Sequence, residues 1–309
     1  LGIAAVCLAG FTFAQDAPLW MRHSVISPDG TTIAFTYKGD IYTVPVAGGR
    51  AMQITTNPAY DTAPVWSPDS KRIAFASDRM GSLDVYIVAK DGGEPRRLTT
   101  HSGSETPLAF TDAGHVLFSA GIMPSAEAVV FPSNGQFNQV YRVSVEGGRP
   151  TMISSMPMEC ISINKEGAML YQDKKGYEDY WRKHHVSPIA RDIWMYTPGK
   201  EPQYRQLTTF GGEDREPVWA PDGKTFYYLS EENGSFNIYR RTPGDAKAVQ
   251  LTHYTKNPVR YLSAATDGRL CYGFDGEIYT LLPGGEAQKV NISIVSDLSL
   301  IHISEPTRR

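Results

Sequence analysis

Apolar residues along this chain fall in short alternating runs, each closed by a turn rich in Gly, Pro, Asp or Asn. One stretch shows the unit in full. Pro64-Val65-Trp66 is followed by Ile73-Ala74-Phe75-Ala76, then Val85-Tyr86-Ile87-Val88, then Arg96-Arg97-Leu98-Thr99. Runs this short with alternating polarity predict strands rather than helices. Connections this tight predict antiparallel neighbours, so the unit reads as a four-stranded meander.

The unit recurs. The turn Ser27-Pro28-Asp29-Gly30 returns as Ser67-Pro68-Asp69-Ser70 and Ala220-Pro221-Asp222-Gly223. Weaker copies are Thr111-Asp112-Ala113-Gly114, Asn164-Lys165-Glu166-Gly167 and Ala265-Thr266-Asp267-Gly268. Pro presets the first turn angle, Asp bonds back to the local backbone, and Gly accepts positive φ. After each turn comes a polar residue, then Ile or Val, then Tyr or Trp. The copies are Asp40-Ile41-Tyr42, Asp84-Val85-Tyr86, Gln139-Val140-Tyr141, Asp192-Ile193-Trp194, Asn237-Ile238-Tyr239 and Glu277-Ile278-Tyr279. A Gly-containing turn and a short strand such as Gln53-Ile54-Thr55 or Gln250-Leu251-Thr252 complete the unit.

One such sheet leaves both faces uncovered, whereas six arranged radially cover one another. The expected fold is therefore all-β: a six-bladed β-propeller of four-stranded antiparallel blades with WD40-like repeats. The last unit, from Pro258 to Val290, carries all four strands. Closure is thus expected by packing blade one on blade six, with no shared blade. The aromatic column Tyr42, Tyr86, Tyr141, Trp194, Tyr239 and Tyr279 is expected to pack between blades rather than form a ligand cage.

Successive turns lie 40, 44, 53, 56 and 45 residues apart, so the excess sits in units three and four. Unit three inserts residues 123–138 and unit four inserts residues 174–191, both between the second and third strands. Long loops on a rigid scaffold are where function concentrates. Within the second insertion, Tyr177, Trp181, Arg182, His184 and His185 are the candidates for contact with a substrate or partner.

Composition narrows the picture. Across 309 residues, 41% are hydrophobic and 20% charged, which describes a globular chain rather than a disordered or membrane-spanning one. The formal charge of −3 leaves no basic footprint for nucleic acid. Residues 1–14 read as the apolar core and cleavage site of a partial secretory signal peptide, which predicts a periplasmic or secreted protein. Residues 298–309 read as a translated sequencing adapter and are given no function, which leaves 15–297 for the propeller. Cys160 and Cys271 fall in different units and are expected to be buried free thiols, not a bridge.

No G-x-S-x-G elbow is present. Ser102-Gly103-Ser104 beside His101 reads as a polar turn. His184-His185 lacks the spacing of a metal site, because adjacent residues on an extended segment point apart. The pairs Arg96-Arg97 and Arg240-Arg241 offer one outward cation each, within reach of a peptide carboxylate. The Gly pairs close hairpins and do not cradle phosphate. The expectation is no catalytic residue, no metal and no cofactor in this chain.

The Ser-Pro-Asp-Gly turn followed by Asp-Ile-Tyr resembles the propeller repeats of TolB and of tricorn-type serine peptidases. Gly176-Tyr177-Glu178, Trp181-Arg182-Lys183-His184-His185 and Ala190-Arg191-Asp192-Ile193-Trp194 resemble a segment in the first propeller of exported bacterial tricorn homologues. In that family a six-bladed propeller precedes a seven-bladed one, then a PDZ domain between two halves of a catalytic region with a serine nucleophile. The resemblance implies a non-catalytic module that gates or docks peptides and supports assembly of an oligomeric parent, with proteolysis carried out by a region absent here. The alternatives are a TolB-like periplasmic interaction protein and the propeller of a prolyl-oligopeptidase-type enzyme.

Overall fold

The computed structural model describes residues 18–121, 138–176 and 186–295. Blade one consists of β1 (Arg22–Ile26), β2 (Thr32–Tyr37), β3 (Asp40–Pro45) and β5 (Met52–Gln53), with the short β4 (Gly49–Arg50) between the last two but outside their sheet. Blade two is β6 (Asp61–Trp66), β7 (Arg72–Ser77), β8 (Asp84–Ala89) and β9 (Arg96–Arg97). Blade three is β10 (Glu105–Asp112), β11 (His115–Ala120), β12 (Gln139–Ser144) and β13 (Thr151–Ser154). Blade four is β14 (Met158–Ile163), β15 (Met169–Asp173), β16 (Ile193–Thr197) and β17 (Gln203–Gln206). Blade five is β18 (Asp214–Trp219), β19 (Phe226–Ser230), β20 (Asn237–Arg241) and β21 (Val249–Gln250). Blade six is β22 (Arg260–Ala264), β23 (Leu270–Phe274), β24 (Glu277–Leu281) and β25 (Gln288–Lys289), and β26 (Ile292–Ser293) follows. Each blade is an antiparallel meander in chain order, as its turns require. The first strands of the six blades touch in a closed cycle around the axis.

The Asp turns form as the residue types dictate. Ser27 Oγ donates to Asp29 Oδ1 at 2.6 Å, and the same oxygen accepts the Thr31 N–H at 3.0 Å. Asp69 repeats this with Ser67 and Lys71, and Asp222 accepts from the N–H groups of Lys224 and Thr225. Neighbouring turns then interlock. The Asp29 N–H donates to Ser70 Oγ, and Pro28 O accepts from Thr266, which ties blade six to blade one.

The aromatic column packs as expected and carries a further regularity. Each of its members sits directly opposite another aromatic ring on the second strand: Phe35↔Tyr42, Phe75↔Tyr86, Phe118↔Tyr141, Tyr171↔Trp194, Tyr228↔Tyr239 and Tyr272↔Tyr279. In five of these pairs the ring centroids are 5.6 to 5.9 Å apart. Each pair lies on the small or aliphatic face of the preceding blade. Phe75 and Tyr86 cover Ala34 and Ile41, while Phe118 and Tyr141 cover Ala74 and Val85. Phe35 and Tyr42 cover Cys271 and Ile278 of blade six. One contact is therefore repeated around the ring, large against small, and it closes on itself without a shared blade.

The outermost strands are shorter than the Leu-Thr pattern suggests. In blade two only Arg96–Arg97 joins the ladder. The following Thr99 turns its Oγ1 inward to accept the Val85 N–H at 2.9 Å. Thr55, Thr208 and Thr252 do the same for Ile41, Ile193 and Ile238. A side-chain oxygen thus replaces a backbone carbonyl, and the strand ends there.

Closure includes a clasp that sequence patterning did not indicate. β26 pairs in parallel with β4, with the Gly49 N–H on Asn291 O at 2.8 Å and the Ala51 N–H on Ser293 O at 2.9 Å. Gly48 makes this approach possible: its φ is +86°, and a Cβ there would stand 2.6 Å from Asn291 O. Gly48→Ala is expected to release the clasp, destabilise the protein by about 1–3 kcal/mol and lower its melting temperature. An unchanged melting temperature would show that blade packing alone holds the ring.

Candidate functional site at the axial mouth

The loops between second and third strands share one face with the connections between blades, and the Asp turns occupy the other. Both insertions leave from this first face. Tyr177, Trp181, Arg182, His184 and His185 lie outside the described residues, as do residues 122–137. What the structure describes is the base that carries the blade-four insertion.

That base is a buried ion network spanning blades four and five. Arg191, at the returning end of the insertion, donates from Nε to Glu159 Oε2 at 3.2 Å and places Nη1 3.5 Å from Glu213 Oε1. Glu213 also accepts from Arg215 Nε at 2.6 Å. Arg191, Glu213 and Arg215 are all buried. At the outgoing end, Lys174 reaches Glu159 Oε1 at 3.3 Å, and Lys175 pairs with Asp192 and donates to Ala190 O at 2.7 Å. Asp173 accepts the Asp192 N–H at 2.8 Å and the Trp194 Nε1–H at 3.2 Å. Both ends of the insertion are therefore held to fixed partners. Burial alone would raise the Glu159 carboxyl, but Arg191 and Lys174 outweigh it and hold the group below its ordinary range.

The network extends to the innermost strands. Gln172 donates to Glu159 at 3.0 Å and accepts the Glu216 N–H at 3.0 Å, while Glu216 accepts the Leu262 N–H at 2.8 Å. Glu216 has φ +50°, and His23, Ala63, Cys160 and Tyr261 share this left-handed conformation at the equivalent step of their first strands. Pairing with the second strand shifts register there, so each is a bulge that re-aims side chains near the axis. His23 bonds Thr62 through Nδ1 at 3.0 Å and lies 4.9 Å from the Tyr261 ring. Burial first, and Arg22 second, push His23 down to about 4, so it is neutral at pH 7. The bulge also corrects one expectation. Both cysteines are free and Cys271 is buried, but Cys160, turned out of the ladder, is only partly so.

Three blades open their first strand with a buried carboxylate: Asp61, Glu105 and Asp214. Asp61 is held by a forked pair of bonds from Arg79, both 3.0 Å. Burial pushes Glu105 up to about 7, with the nearby Asp84 charge adding to the shift and Thr99 opposing it. Burial likewise raises Asp214 to about 7, with Ser230 and Thr208 opposing the shift. A carboxyl raised on folding favours the acid form. Its stabilising effect is complete below the unfolded value near 3.8 and is lost as pH climbs through 7. Asp214→Asn is expected to match the parent near pH 4 and to exceed it by about 1–3 kcal/mol at pH 8 in urea melts. Equal stabilities at pH 8 would refute the shift.

The remaining sequence candidates are occupied elsewhere. His101 Nδ1 accepts the Gly103 N–H at 2.9 Å, a polar turn as expected. Arg96 pairs with Glu146 and Arg97 with Asp84, and Arg241 donates to Asp245 O. These three cations are thus engaged within the chain. Among the described residues no group of three or more His, Cys, Asp or Glu is placed to hold a metal, and no helix is long and apolar enough to cross a membrane.

Comparison with known proteins places this architecture. Tricorn protease homolog 1 of Streptomyces coelicolor is 26% identical over 283 residues, covering 90% of this chain and 25% of that protein. The tricorn protease homolog of Saccharolobus solfataricus is 23% identical over 293 residues, with the same coverage of 90% and 25%. The chain thus spans about a quarter of the length of these curated relatives. The crystal structure of the tricorn protease superposes with a TM-score of 0.74 at 19% identity, over 91% of this chain and 27% of that one. TolB from Acinetobacter baumannii superposes at 0.64 with 14% identity, over 84% and 63%. At these identities the structural likenesses show the fold alone. The family assignment comes from the match of residues 18–287, nearly the whole ring, to the Tricorn protease N-terminal beta propeller domain: the chain belongs to that family.

Proposed function

We propose that this propeller is a non-catalytic module of a tricorn-like serine protease. It docks and gates peptide substrates and supports assembly of an oligomeric parent in the periplasm or outside the cell. Hydrolysis belongs to a region outside this chain. The observation that carries the reading is the clamped base of the blade-four insertion. Glu159, Arg191, Glu213 and Arg215, with Lys174 on Glu159, hold both ends of a loop rich in aromatic and basic residues on the insertion face. Rigid support under a recognition loop lowers the entropic cost of binding.

The test uses the purified chain and an unfolded polypeptide, reduced carboxymethylated lactalbumin. Binding without cleavage above a heat-denatured control is expected. Replacing residues 177–185 by a Gly-Ser linker is expected to weaken binding by about tenfold or more. Cleavage by this chain, or binding indifferent to the replacement, would overturn the proposal.

A further inference from the structure

A trough of about 700 Å³ opens on the insertion face at blade one, across the ring from blade four. Its size falls within that of ligand sites, about 300–1,000 Å³. Its walls include Leu19, Trp20, Tyr37 and Tyr60, and the charged residues among its lining are Arg22 and Lys38, both cationic. Leu19, Trp20 and Tyr60 are exposed, with Trp20 at 72%. Lys38 Nζ rests 5.4 Å from the Tyr37 ring centroid, and the Arg22 guanidinium 5.8 Å from that of Trp20.

The exposure of Trp20 is built in. Its φ is +70°, an unfavourable conformation for a bulky side chain, and the adjoining backbone is tied down by the Met21 N–H on Gly276 O at 3.2 Å. Gly276 permits the approach, since a Cβ there would stand 3.1 Å from Trp20 N. A large ring is thereby held outward in a strained backbone instead of being folded onto the blade.

We infer that this trough is a docking point for an extended peptide segment carrying acidic side chains among apolar ones. The aromatic walls remove apolar side chains from water. Lys38, resting against the Tyr37 ring, pairs with a carboxylate. A basic segment would bring like charge against Lys38 and be rejected. Blades one and four face each other across the axis, so a polypeptide engaged by the blade-four insertion passes the mouth to reach the trough. This rests on the proposed peptide-docking role and names the class of segment it favours.

The test is a fluorescence titration of the full chain, read as the difference from a Trp20→Phe variant. The probes are a capped, amidated decapeptide with Glu among Leu and Gly, and its twin with Lys in place of Glu. The acidic peptide is expected to bind about tenfold or more tightly than the basic one, and more weakly as salt rises. Lys38→Glu, a surface change in a turn, is expected to reverse that order. Equal binding of the two peptides, or acidic binding unmoved by Lys38→Glu, would overturn the inference. So would a neutral Leu-Gly peptide with a free carboxy terminus that binds as tightly as the acidic probe. Loss of these effects with retained binding of unfolded lactalbumin removes the trough alone. Failure of both measurements removes the docking role as well.

Discussion

Glu213→Ala will cost the protein about 3–5 kcal/mol, read as a fall in the urea midpoint. Glu213 is buried, accepts from Arg215 at 2.6 Å and stands 3.5 Å from Arg191. Removing it takes one carboxylate away from two buried guanidinium groups. Arg191 retains Glu159, and Arg215 retains its place over the Phe236 ring at 5.1 Å, which puts the expected loss nearer the lower figure. Glu213→Gln keeps an acceptor without the charge and is expected to lose about half as much. Because Arg191 holds the returning end of the insertion, Glu213→Ala is also expected to speed proteolysis around residues 186–192. A loss below about 1 kcal/mol would mean that water reaches the network and that the base is not rigid.

A comparable loss is expected in the blade interfaces. Phe75 is fully buried between Tyr86 of its own blade and Ala34 and Ile41 of the blade before. Phe75→Ala is expected to cost about 3–5 kcal/mol, through lost transfer energy and the cavity left behind. Phe118 holds the equivalent place in blade three, and Phe118→Ala is expected to agree within about 1 kcal/mol. Met152, exposed on an outer strand, is the control, and its truncation is expected to stay within about 0.5 kcal/mol. If Phe75 and Phe118 differed by several kcal/mol, the interfaces would not be repeats of one contact.

The propeller was legible because its marks are local. A Pro-Asp-Gly turn acts through its own backbone, and Asp-Ile-Tyr records alternation along a single strand, so each copy is readable without its neighbours. The partner rings opposite the column, Phe35, Phe75, Phe118, Tyr171, Tyr228 and Tyr272, were present in the sequence at one register. Seeing them required aligning second strands as well as third. Thr99 and its equivalents read as strand ends because a residue that leaves the ladder to cap it has the same β-branched pattern as one that stays.

The ion network was less legible. Glu159, Glu213 and Glu216 look like ordinary polar residues near turns. Their pairing depends on blades four and five meeting, a contact between residues far apart in sequence. One signal was available: Asp61, Glu105 and Asp214 recur as the opening residue of a first strand, where a solvated loop end would not need acids. The closing clasp left no mark at all, since Gly48-Gly49 reads as one more hairpin turn until Asn291 is placed against it.

Docking of polypeptide on the insertion face, over the clamped base, is read by hydrogen–deuterium exchange of the intact chain, with and without unfolded lactalbumin. Added protection is expected at residues 173–176 and 186–192, with the Asp turns at 27–32, 67–72 and 220–225 unchanged. Protection confined to those turns, or none on either face, would contradict it.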